Sequence, residues 1–239
     1  MYINDIHILY YLGIGIIGII VGQFIDWCSL RLSEHKKVFS KDFFEIYMKK
    51  FKPKYLLMVV TTYIYIGILY FYGINDIRTY EYLCLTPILI CAFCIDYKKQ
   101  IIPNRLTLTL LEIGLLFAFI EGISNLNIAI DKAVGCLIGM LIMLVITFIG
   151  NLISKKESVG FGDVKLISIL GIFFGWRNII AISIISFFMA AIVSIVLILI
   201  KKKNVNEYIA FGPFIVLSSI FIMFIPIENV LISIISLGK

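Results

Sequence analysis

The stretch "KESVGFGDVKLISILGIFFGW", residues 156–176, sets one carboxylate, Asp163, between a glycine-rich turn and an apolar run. As a helix at about 1.5 Å per residue, the roughly 13 apolar residues after it reach only ~20 Å, short of a ~30 Å hydrocarbon core. If the run lies in a bilayer, Asp163 lies below headgroup depth. The rest of the chain says that it does. Over 239 residues, 61% are hydrophobic and 15% charged, and the mean hydropathy is +1.04. An ordinary soluble domain is far less apolar. The backbone finds no hydrogen-bond partners in lipid, and the alternating pattern of a barrel is absent, so the expected fold class is all-α, a polytopic membrane protein.

Apolar segments near 7–27, 55–74, 81–96, 105–121, 128–153, 164–176, 178–200 and 208–237 predict about eight transmembrane helices. The last is interrupted by Pro213 and Pro226. The first has no basic stretch before it and no small-residue cleavage site, so it is expected to be a permanent span. Of the 21 Lys and Arg, only Arg78, Lys132, Arg177 and Lys239 fall on one side of this arrangement. All the others, from Arg31 through Lys54, Lys98, Lys99, Arg105, Lys155, Lys156, Lys165 and Lys201–Lys203, fall on the other, which marks it as cytoplasmic with both termini outside. The net charge of +6 is then a signature of topology, and no nucleic-acid partner is expected. Two parts follow: residues 1–54, a first span with a basic cytoplasmic loop, and residues 55–239, a transmembrane core. Within the loop, "DFFEIYMKKF" (42–51) is patterned like an amphipathic helix lying on anionic headgroups of the lipid bilayer.

Asp96, in "ICAFCIDYKKQIIPNRLTL" (90–108), ends the third segment, and Asp163 begins the sixth. The topology puts both at the cytoplasmic side. Ionisable groups at such depth are costly and usually face a water-filled cavity. Two neighbouring carboxylates share a proton, so one can take a proton from water while the other polarises a peptide carbonyl. That chemistry needs no metal. The plainer readings are an N-cap for Asp163 and a solvated helix end for Asp96. Gly160 and Gly162 would let a substrate strand come close.

Glu112, inside the fourth segment, is a further candidate because it is an intramembrane carboxylate; its plainer reading is a protonated structural group. Lys165 is placed to tune the acid or to bind headgroups. Cys91 and Cys94 form a CxxC within an apolar span, with no second pair beside it, and no metal role is expected of them. The five cysteines suggest no disulfide framework. No ligand role is assigned to His7 or His35, and positive-inside anchoring explains Arg31.

"VGFGDVKLISILGIFFGW" (159–176) resembles the GxGD segment of the type IV prepilin peptidases, which are membrane-embedded aspartic proteases. "IDYKKQIIPNRLTL" (95–108) resembles their first aspartate segment. "GQFIDWCSLRL" (22–32) is similar to their amino-terminal GSFLNVxxxRL, and "AFGPFIVL" (210–217) to their late PFGPFL. The four stand in the family's order over nearly the whole chain. The resemblance implies that Asp96 and Asp163 are the catalytic pair and that the substrate is a prepilin-like or pseudopilin-like protein. It further implies that a short basic leader is cut at the cytoplasmic face of a prokaryotic inner membrane. Many members also bind zinc through two CxxC pairs in the first loop, in a region linked to methyl transfer from S-adenosylmethionine. Residues 31–54 here contain no cysteine, so zinc is not expected and methyl transfer is left open. Asp26 stands where the family has asparagine. A proton-coupled transporter is the alternative from another class, since intramembrane Asp and Glu also relay protons.

Overall fold

The computed structural model describes residues 2–4, 6–34, 36–38, 54–154, 160–200 and 209–225. His35 and the stretch 42–51 lie outside them. Contacts divide the chain into two units, Met1–Ile95 and Asp96–Lys239.

The first unit opens on a small antiparallel pair, β1 (Tyr2–Ile3) and β2 (Ile6–His7), with Tyr2 opposite His7. This is a minor exception to the all-α expectation. His7 then caps α1 (Ile8–Ser33), its Nδ1 accepting the Leu9 N–H. Helix α1 packs along α2 (Tyr55–Tyr72). The contact is set by small residues, as is usual where no water drives helices together. At Gly22 an added Cβ would sit 2.6 Å from the Met58 Cα, so the two backbones are in direct contact. The approach lets Thr61 Oγ1 donate to the Gly18 carbonyl at 2.8 Å. This seam assigns α2 to the first unit. That unit ends within α3 (Ile77–Lys99). Asp26, for which the sequence suggested no role, is buried on α1 and ion-paired with Lys54 at the N-cap of α2. Gly22→Ala should lower stability by about 1–3 kcal/mol, the usual cost of overpacking. Thermal unfolding in detergent would measure it.

The second unit begins with the end of α3 and contains α4 (Asn104–Ser124), α5 (Leu126–Ser154), α6 (Phe161–Leu199) and α7 (Gly212–Phe224). A tight turn joins α4 to α5, and the Asn125 side chain accepts the Asn127 N–H there at 3.0 Å. Helix α6 keeps helical backbone angles except at Gly175, where φ is 72° and ψ 175°. Ile167 and Ile179 both lie against Gly139 of α5. Twelve residues of straight helix would hold them about 18 Å apart. The chain therefore doubles back at Gly175, and the backbone conformation that glycine adopts freely makes the reversal possible. The segments expected at 164–176 and 178–200 are the two arms of α6. Gly135 and Gly171 meet backbone to backbone, which seats α5 in this hairpin. Leu110, Met143, Leu166, Ile167, Leu170, Ile179 and Ile215 are fully buried.

Among the described residues, six helices are long and apolar enough to cross a membrane, α6 counted once, and α7 is shorter. Each of the eight expected segments falls on a helix or on an arm of α6, with 208–237 described only in part. The outward faces carry large apolar side chains such as Leu116, Phe119, Leu141, Phe148 and Phe188, as lipid-facing surfaces do.

Candidate active site

Asp96 ends the apolar part of α3. The helix closes when the Gln100 N–H bonds the Asp96 carbonyl at 2.8 Å, and Gln100 takes a left-handed φ of 55°. That turn leads through Ile102 and Pro103 into α4, and it places Ile102 against Gly162, where an added Cβ would lie 3.1 Å from the Ile102 Cβ. Gly162 thus makes room for the segment that follows Asp96. The two sequence stretches singled out for their aspartates are packed on each other.

Asp163 sits in the first turn of α6, whose N-cap is Gly160, and makes no cap itself. Its Oδ1 is buried and has no hydrogen-bond partner. Asp96 is only 4% exposed, so it is not a solvated helix end. The plainer readings of both residues therefore fail on geometry. The two carboxylates lie within electrostatic reach of each other. They differ in one respect: Asp96 Oδ2 accepts the backbone N–H of Gly212 at 2.9 Å, and Asp163 receives no such donor at Oδ1. Gly212 is the first residue of α7, with Pro213 next to it. A proline suits a helix's first turn, where N–H groups have no partner within the helix.

The other candidates are placed differently. Lys165 donates to Asn104 Oδ1 at 2.9 Å and stands 4.9 Å over the Phe161 ring, so it ties α6 to the start of α4. It lines a groove of about 580 Å³ with Asn104, Leu111, Met140 and Ser168. The aspartates do not line that groove. Glu112 stands on the exposed face of α4, apart from the buried pair. Cys91 is buried and Cys94 half-buried, and neither is in a disulfide. Among the described residues no three His, Cys, Asp or Glu side chains are grouped to hold a metal ion.

Sequence reasoning quoted the 210–217 stretch but assigned Gly212 no task; a glycine before proline at a helix start was its only signal. It also missed a buried ion pair. Lys132 Nζ lies 2.9 Å from Glu121 Oε2, the two side chains 6% and 8% exposed, across the α4–α5 turn.

Fold and site together define a multi-pass membrane protein with a buried pair of aspartates at the meeting of three helix ends. Residues 83–195 match the Type IV leader peptidase family. The chain is similar to prepilin leader peptidase/N-methyltransferases. That of Aeromonas hydrophila is 33% identical over 136 residues, 57% of this chain and 46% of the relative. That of Legionella pneumophila is 34% identical over 138 residues, 57% of this chain and 47% of the relative. The chain thus spans about half the length of these relatives. The Escherichia coli (strain K12) protein of the same name is 26% identical over 211 residues, 85% of this chain and 91% of the relative. No solved structure matches.

Proposed function

We propose that the protein is a membrane aspartic endopeptidase that removes the short basic leader of type IV prepilin or pseudopilin-like proteins at the cytoplasmic face of the inner membrane. The observation that carries this reading is the burial of Asp96 and Asp163 within electrostatic reach of each other, at ends of helices too apolar to need them for solubility. Deep carboxylates are expensive and are kept for a task. A pair sharing one proton suits amide hydrolysis, in which water must lose a proton as the carbonyl oxygen is polarised. The match of residues 83–195 to the Type IV leader peptidase family and the names of the relatives support the substrate class. The lysine asymmetry supports the cytoplasmic side.

Zinc does not fit the first loop, since residues 31–54 supply no thiol. Methyl transfer from S-adenosylmethionine belongs to the relatives' names, and nothing in the described residues favours it here. The test is to incubate the purified protein with a prepilin bearing its leader and read the intact mass. The expected result is loss of the leader with no added cofactor. A further methyl mass on adding S-adenosylmethionine would extend the activity, and an uncut prepilin would overturn the reading.

A further inference from the structure

We propose that the backbone N–H of Gly212 divides the labour of the pair, holding Asp96 ionised as the base and leaving the proton on Asp163 as the acid. This rests on the two-aspartate reading above and deepens it.

A hydrogen bond donated to a carboxylate favours its charged form, and a buried carboxyl oxygen without a donor disfavours it. Asp96 Oδ2 has the donor, at 2.9 Å in a buried setting. Asp163 Oδ1 is buried and has none. Helix termini do not reverse this asymmetry. At Asp96 two helix ends offset each other, because it stands in the last turn of α3 and against the first residue of α7; Asp163 lies in the first turn of α6, and the diffuse field there is weaker than a direct hydrogen bond to a charged group. Nearby charges do not reverse it either. Helix α7 has no charged side chain, Lys165 is engaged with Asn104, and Lys98, Lys99 and Arg105 are exposed. A side chain at this position would push Asp96 off the amide: an added Cβ would meet Asp96 Oδ2 at 2.6 Å and its Cγ at 3.0 Å. The side-chain-free residue brings the amide to the carboxylate.

The cycle then balances. Ionised Asp96 takes a proton from water as the water oxygen bonds the scissile carbonyl carbon, and Asp163 gives its proton to the carbonyl oxygen. As the C–N bond breaks, Asp96 returns its proton to the leaving nitrogen. Asp163 recovers one from a hydroxyl of the tetrahedral intermediate. The products are an acid and an amine, and both aspartates regain their starting states. Gly212 is a positioning residue in this scheme, touching Asp96 and not the substrate.

The test replaces the Phe211–Gly212 peptide link with an ester in the full chain, which deletes the donor and adds no side chain. The expected result is a kcat about 10–100-fold lower with KM unchanged, the scale of a hydrogen bond to a charged group. As the control, an ester in place of the Pro213–Phe214 link removes the Phe214 N–H bond to the Phe211 carbonyl, and kcat should stay within about twofold of wild type. Infrared difference spectra read the roles directly. Subtracting Asp163→Asn from wild type should leave a carboxylic-acid band, and subtracting Asp96→Asn a carboxylate band. An unchanged kcat at Gly212, an equal loss in the control, or an acid band in the Asp96→Asn difference would overturn the assignment. Cleavage that survives either asparagine substitution sinks the two-aspartate reading itself, whatever the ester does. If both substitutions abolish cleavage and the Gly212 ester does not slow it, the division of labour alone fails.

Discussion

Asp96→Asn and Asp163→Asn are each expected to lower prepilin cleavage by about 1,000-fold or more, with the folded protein at least as stable as wild type. The two residues act as one unit, so the rate should collapse with the first substitution and change little with the second. Stability should move the other way, because a buried carboxyl oxygen with no partner costs free energy in the folded state. Asp163 Oδ1 is such an atom. A leucine there removes the orphan, and Asp163→Leu is expected to melt higher than wild type while cutting nothing. On the proposed function, selection for the reaction would keep such a destabilising group. The measurements are leader loss by intact mass and the unfolding midpoint in detergent, on the same preparations. Inactive variants that melt several degrees lower would mean that the aspartates hold the helices together and do not catalyse.

Much of this was legible before any coordinates, and the reason is the bilayer. A backbone that must satisfy itself in lipid leaves little choice but helices, so apolar run length alone located them. The sharpest case is 164–200, where the break expected at Arg177, between 164–176 and 178–200, falls two residues from the reversal at Gly175. Asp96 and Asp163 were singled out by the same logic, as charges where charge is expensive. What the pattern did not carry was partnership. Nothing in "AFGPFIVL" says that the amide of Gly212 faces a carboxylate more than a hundred positions away, because backbone donors look alike in sequence. Glu112 and Glu121 read alike as carboxylates in α4. One is exposed and the other is buried against a lysine, and only the packing of α5 on α4 separates them. The α1–α2 seam was hidden as well, because it depends on glycines that a hydropathy pattern counts merely as apolar filler.

Lys132→Met is expected to destabilise the protein by about 3–5 kcal/mol, the cost of leaving a buried charge unpaired. Lys132 Nζ and Glu121 Oε2 are 2.9 Å apart, and Glu121 Oε1 already has no hydrogen-bond partner, so losing the lysine would leave the carboxylate's negative charge without its ion-pair partner. The pair fastens the end of α4 to the start of α5, beside the tight turn at Asn125. Its energetics differ from those of a surface bridge, because most of what each ion gains from the other is spent on leaving water. Replacing both, Lys132→Met with Glu121→Leu, should therefore recover most of the loss, since apolar groups of similar volume fill the same space without any charge to satisfy. Unfolding in detergent would show the single variant low and the double variant near wild type. Cleavage by the double variant separates two uses of intramembrane charge. Glu121 lies 17 residues beyond Asn104 along α4, roughly 25 Å of helix from the end where Asp96 and Asp163 meet, so an endopeptidase should keep its activity. A proton-relaying protein would need that charge, and a folded double variant that had lost function would point to a pathway through the membrane.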